Sequence, residues 1–176
     1  MEKTGKDKTE IVYFTDPLCC WSWVFEETWK RFKHEFAGEI QWRYCMSGLI
    51  PDWKHFYDAM NSVSRPAQMG PVWMHASETS GVHINHKIWI DDPPASSFPP
   101  CVAVKTAGLQ SSEAADELLS RLRKALMTDG LNISKKEILF RIAEELIEDN
   151  PLTMDYELFV SDFSSGRALG RFRDDV

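Results

Sequence analysis

Ile11-Val12-Tyr13-Phe14 is a short apolar, β-rich run that stops at Thr15-Asp16-Pro17. The pattern predicts a buried strand ending in a turn. From Cys20 to Phe36 the apolar residues Trp21, Val24, Phe25, Trp29, Phe32 and Phe36 recur at helical spacing. That spacing predicts an amphipathic helix, with Pro17 near its start and Gly38 closing its end. Ile40, Trp42 and Tyr44 then alternate with Gln41, Arg43 and Cys45, the two-residue period of a strand. The opening therefore reads β-α-β, with a helix long enough to carry the chain back between parallel strands.

Beyond Met46 the period changes. Asp52 to Asn61 reads as a short helix, and a second helical stretch runs from Arg65-Pro66-Ala67 to Ser80. Val82 to Ile90 reads as extended, stopped by Asp91-Asp92-Pro93-Pro94. Ser96-Ser97-Phe98-Pro99-Pro100 opens a helix to Leu109, proline suiting the first helical turn. Glu113 to Met127 is strongly amphipathic, with Leu118, Leu119, Leu122 and Leu126 on one stripe. Ser134 and Glu137 have capping-box spacing for a helix through Glu148, and Met154–Ser164 and Ser165–Asp175 complete a helical tail. The expected division is a disordered lead-in (1–9), a β-α-β part (10–47), a helical insertion (48–166) and a return segment (167–176).

Composition narrows the partners. A chain of 176 residues with 43% apolar and 27% charged residues has enough apolar surface for a globular core. A formal charge of −7 argues against nucleic acid, whose phosphates require a basic footprint. There is no run of 18 apolar residues for a membrane span, and no apolar stretch behind the N-terminal lysines for a signal peptide. Four cysteines, at 19, 20, 45 and 101, do not form the pattern of a secreted disulfide framework, so the expectation is a reducing cytoplasm.

The candidate chemistry lies where the first strand hands over to the first helix. Unsatisfied amide hydrogens and the positive end of the helix dipole stabilise an anion there, and a thiolate is the nucleophile of thiol–disulfide exchange. Cys19 stands at that point, walled by Trp21 and Trp23. The segment Thr15-Asp16-Pro17-Leu18-Cys19-Cys20-Trp21-Ser22-Trp23 resembles the Asp-Pro-x-Cys-x-x-Cys-Trp segment of DsbA-like thioredoxin-fold proteins, within them the FrnE-type cytoplasmic branch. Ser96 to Lys105 is similar to the Ser-x-x-Pro-Ala-Cys-x-Ala-Val segment opening the helical insertion of that branch. The resemblance implies an α/β fold: a thioredoxin-like β-α-β unit with a large inserted α-helical domain. It implies a thiol–disulfide oxidoreductase type of protein in which Cys19 attacks a disulfide, with Pro17, Trp21 and Trp23 shaping the substrate mouth. A protein or small-thiol disulfide is the implied substrate, with glutathione as a co-substrate and no tightly bound cofactor.

Two departures qualify what the resemblance implies. The family's second cysteine falls on Ser22, giving a monothiol Cys-x-x-Ser motif in which Ser22 cannot close a disulfide. The family also continues into a cis-proline strand, a hairpin and a last helix. This chain reaches Val176 where that ββα part begins, which the reading takes as truncation. Cys20 is a further catalytic candidate, as a resolving partner for Cys19, although a bridge between adjacent cysteines strains the backbone and a half-buried structural thiol is the reading preferred. Ser22 either hydrogen-bonds the Cys19 thiolate or satisfies a helix-start backbone group. Cys45 and Cys101 read as small buried hydrophobes, and the cysteines and histidines lack zinc-ligand spacing. Trp53, Trp73 and Trp89 read as packing rather than as a groove over Cys19. Two other classes stay open: kappa-class-like glutathione transferases and chromene-carboxylate isomerases, kept by Ser22, and a non-catalytic thioredoxin-fold adaptor. An unpaired sheet edge would also admit a homodimer.

Overall fold

The structure, a computed structural model, describes residues 8–176. Strands β1 (Thr9–Thr15) and β2 (Ile40–Met46) lie parallel, paired from Thr9 against Ile40 to Thr15 against Met46. Helix α1 (Cys20–Glu35) carries the chain from one to the other. Thr9 therefore belongs to β1 and not to the expected lead-in, whose residues 1–7 lie outside the described part. Alternation along β1 turns Tyr13 toward α1, where its ring meets Trp29 at 5.1 Å and Phe25 at 6.0 Å. Phe14, on the other face, is 69% exposed.

The buried face of α1 is not the one its apolar spacing marks. It carries Cys20, Ser22, Glu26 and Trp29, while Trp21 and Phe25 remain exposed. Gly38 does not close this helix; Phe36 is the C-cap, and its carbonyl accepts the N–H of both Glu39 and Ile40.

After β2 the described chain is helical. A 3-10 turn at Pro66–Gln68 leads into α2 (Met69–Ser80), followed by α3 (Ile88–Asp91), α4 (Phe98–Ala107) and α5 (Ser112–Met127). Then come α6 (Lys136–Asp149), α7 (Tyr156–Ser165) and α8 (Leu169–Arg173). No helix forms over Asp52–Asn61. The Asp52 carboxylate accepts the N–H groups of Lys54 and His55, and Asp58 accepts those of Met60 and Asn61. Aspartates that bind nearby amides stabilise turns against helix. The extended stretch expected to reach Ile90 gives way to α3 at Ile88. The Ser134–Glu137 capping box is also absent. Lys135 is the N-cap, and the Ser134 hydroxyl donates to Asn132 at 2.6 Å while accepting the Ala95 N–H. Pro99 and Pro100 occupy the first turn of α4, and no cis peptide occurs among the described residues.

The Leu118, Leu119, Leu122 and Leu126 stripe of α5 is fully buried, and α5 packs against α4, α6 and α1. Its leucines share one continuous apolar cluster with Leu18, Trp29 and Tyr44 of the β-α-β part. Trp73 and Trp89 are buried in edge-to-face contact at 5.0 Å, with Trp53 edge-on to Trp89 at 5.8 Å. The tryptophan cluster is therefore packing. Among the described residues, no helix is long and apolar enough to cross a membrane.

Two charges on α5, seven residues apart, key it to the β-α-β part. Asp116 accepts the Tyr44 hydroxyl at 2.5 Å and pairs with Lys33. Arg123 is completely buried and pairs with Glu26 at 2.5 Å. Removing one partner of a buried pair strands the other charge, which costs about 3–5 kcal/mol, whereas an apolar replacement of both is much cheaper. Arg123→Met is thus expected to lower stability by about that amount, and Arg123→Met with Glu26→Met to recover most of it. Urea unfolding across the double-mutant cycle measures this coupling; additive losses would contradict it.

Candidate functional site

The turn that carries Cys19 is built around a buried carboxylate. Asp16 is 1% exposed; one oxygen accepts the Leu18 N–H at 2.8 Å and the other the Leu49 N–H at 2.7 Å. The second oxygen also receives the Cys101 thiol at 3.4 Å, and the Asp16 carbonyl accepts the Cys19 N–H at 3.1 Å. Burial pushes the Asp16 carboxyl above its ordinary 3.8, while these donors pull the other way. One side chain thus joins the end of β1, the loop after β2 and the start of α4. Pro17 and Leu18 are buried in the same turn. Gly48, in that loop, has φ +57, and an added Cβ would meet Phe98 at 2.9 Å.

Cys19 is the N-cap of α1, in extended conformation at φ −79 and ψ 109, and makes no side-chain cap hydrogen bond. No acidic residue occupies the first turn of α1. The positive end of this helix therefore has no internal counter-charge, and the half-buried Cys19 sulfur is the group placed on it. Cys20, Cys45 and Cys101 are buried free thiols. Burial first, and then neighbouring Cys19, push the Cys20 thiol from 9.0 up to about 12. Trp21 is 44% exposed beside the site, with His75 of α2 edge-on at 6.2 Å. Trp23 is partly buried, and its indole N–H donates to the His83 carbonyl at 3.4 Å.

Ser22 faces inward. It is 7% exposed, and its hydroxyl accepts the Thr15 Oγ1 proton at 2.8 Å. Thr15 in turn accepts a hydrogen bond from Arg123 Nη2, whose Nη1 holds Glu26. The structure thus brings together Pro17, Cys19, Cys20, Trp21, Ser22 and Trp23 at one helix start, with Cys19 and Trp21 the accessible members. The sequence reading missed Asp16, Thr15, Glu26 and Arg123. The signal for the last two was present, since Arg123 lies within the leucine stripe of α5 and Glu26 one turn from Ser22 and Trp29 on α1. Opposite charges on two apolar helix faces predict a buried pair. Among the described residues, no three His, Cys, Asp or Glu side chains converge as metal ligands.

A β-α-β unit with a cysteine at the N-terminus of its helix and a helical layer packed on it defines a thioredoxin-like protein. The thioredoxin family model matches residues 13–176, and the chain belongs to that family. Among curated relatives, the ClpXP adapter protein SpxH of Halalkalibacterium halodurans is 29% identical over 167 residues, covering 95% of this chain and 53% of that protein. The SpxH of Bacillus subtilis is 25% identical over 173 residues, covering 97% and 54%. The chain spans about half the length of these relatives. The cytosolic disulfide reductase DsbM from Pseudomonas aeruginosa, solved with glutathione (GSH), superposes with a TM-score of 0.69 at 19% identity, over 94% of this chain and 77% of that one. At that identity the likeness is one of fold.

Two outcomes follow from the burial of the thiols. Iodoacetamide added to the native protein at neutral pH is expected to alkylate Cys19 alone, the other three thiols reacting only after unfolding, as peptide mass spectrometry would show. The raised Cys20 value also has a sign. Its stabilising share is whole below 9.0, the unfolded value, and is lost as pH rises toward about 12, because unfolding then releases a proton the native state retains. Urea midpoints should therefore fall above pH 9, less steeply in Cys20→Ala.

Proposed function

We propose that this chain is the thioredoxin-like part of a protein adaptor that presents clients to a ClpXP-type protease, rather than a dithiol oxidoreductase. The observation that carries this reading is the fate of position 22. A turnover oxidoreductase resolves its mixed disulfide with a second sulfur; here Ser22 stands in that position, facing Thr15 and away from solvent. Cys20, the adjacent thiol, is buried and held protonated. The similarity to SpxH over nearly the whole chain supports the same reading. Four free thiols suit a reducing cytoplasm.

A second reading rests on a different observation, the accessible Cys19 on an uncapped helix start. The Cys19 thiolate attacks glutathione disulfide, a Cys19–glutathione disulfide forms, and one glutathione leaves as its thiolate. A second glutathione then reverses the step. The DsbM structure with glutathione supports that choice of small thiol.

One set of assays separates the two. With the chain added to a ClpXP-containing extract, quantitative mass spectrometry is expected to show particular proteins turning over faster, equally with wild type and Cys19→Ser. Insulin-disulfide reduction with glutathione as reductant is expected to stay at background. Catalysed reduction that disappears in Cys19→Ser, with no protein half-life shortened, would overturn the adaptor reading in favour of monothiol chemistry.

A further inference from the structure

Helices α4, α6, α7 and α8 leave a cavity of about 500 Å³ between them. Its apolar wall is made by Phe98 and Val102 of α4, Phe163 of α7, and Leu169 and Phe172 of α8. Phe98 and Phe172 meet edge-on at 5.0 Å, and Val102 and Phe172 are buried, so close packing fixes the shape of this wall. Leu169 stays 41% exposed at the mouth. Two cations border the same cavity, Lys136 at the start of α6 and Arg173 at the end of α8. Among the described residues neither pairs with a carboxylate. Lys136 Nζ meets two neutral groups, the Ser164 hydroxyl at 3.4 Å and the Phe140 ring, whose centroid is 4.9 Å away. Unpaired cations beside an apolar wall are complementary to an anion carried on an apolar body.

We propose that this cavity binds a long-chain carboxylate, with its aliphatic tail against the phenylalanines and its head held by Lys136 and Arg173. A peptide is the poorer occupant, because backbone amides taken out of water must keep hydrogen-bond partners. The lining offers one side-chain hydroxyl, that of Ser134, and it is already committed. It donates to Asn132 at 2.6 Å and accepts the Ala95 N–H at 3.1 Å. Pro99, also in the lining, has no N–H to give. An aliphatic tail needs no such partners, and leaving water for an apolar wall is favourable for it. The carboxylate head then takes charge-assisted hydrogen bonds from the two cations. None of the lining residues belongs to the Cys19 site, so this binding is independent of both functions proposed there.

Calorimetric titration of the whole chain with laurate, kept below its micelle concentration, tests this. Saturable binding at a single site per chain is expected. Lys136→Gln and Arg173→Gln are each expected to weaken it by about tenfold, the range of one hydrogen bond to a charged group. Leu169→Trp fills the mouth and is expected to abolish it. Dodecyltrimethylammonium, the same tail on a cation, is expected not to compete. Urea midpoints verify that each variant folds; should Leu169→Trp fail, the two charge variants decide alone. Absence of saturable binding overturns the proposal. So does equal affinity for the two surfactants, or wild-type affinity in both charge variants, because the cavity is then apolar surface without selectivity for an anion. Light scattering that finds two copies per particle in wild type and one in Leu169→Trp gives the cavity to a second copy instead. An amphipathic leucine–glutamate peptide that binds there more tightly than laurate gives it to a protein segment, and either result also overturns the proposal.

Discussion

A guanidinium taken out of water loses several kcal/mol of hydration, and only well-placed acceptors offset that loss. Arg123 is in this position, with no exposed surface. Its acceptors come from two other elements, Glu26 on α1 and Thr15 at the end of β1. Both lie in the β-α-β part, so the helical layer can satisfy Arg123 only by docking α5 in one register. Asp116, two turns earlier, imposes a second condition of opposite sign through Tyr44 and Lys33. The leucine stripe on its own would tolerate sliding or rotation, because apolar contact is nondirectional. The two charges remove that freedom.

The site inherits this constraint. Thr15 and Ser22 flank the turn bearing Cys19, and both belong to the network that Arg123 anchors. Asp16 ties the same turn to the loop after β2 and to α4 from the opposite direction. The accessible thiol therefore sits on a support made from four separate parts of the chain. What the support lacks is a second accessible sulfur. Position 22 is occupied by a hydroxyl that faces inward, and Cys20 is buried. A site with one accessible sulfur lacks the second thiol that cycling between dithiol and disulfide requires.

Much of this was legible from residue order alone. The two strands, α1, the leucine stripe of α5 and the helix start at Cys19 follow from local periodicity and turn residues, which depend on neighbours in sequence. The misread stretches at Asp52–Asn61 and at Ser134 share a cause. At Asp52, Asp58 and Ser134, short polar side chains found partners that propensity does not see. The buried face of α1 was misread because Trp21 and Phe25 look like core residues, while Ser22 and Glu26 look like surface.

The sequence by itself determined a β-α-β opening, a helical remainder and a single candidate thiol, Cys19, with serine at position 22 instead of a second cysteine. These are local properties, set by periodicity, turn chemistry and the atoms each residue carries. Only the tertiary structure decided which thiols are accessible, that Ser22 faces a buried network, and that Arg123 reaches it from 101 positions downstream of that serine. Polar side chains that look solvated in sequence become buried partners when distant elements meet. A charge is tolerated in the interior only by the acceptors the fold delivers to it.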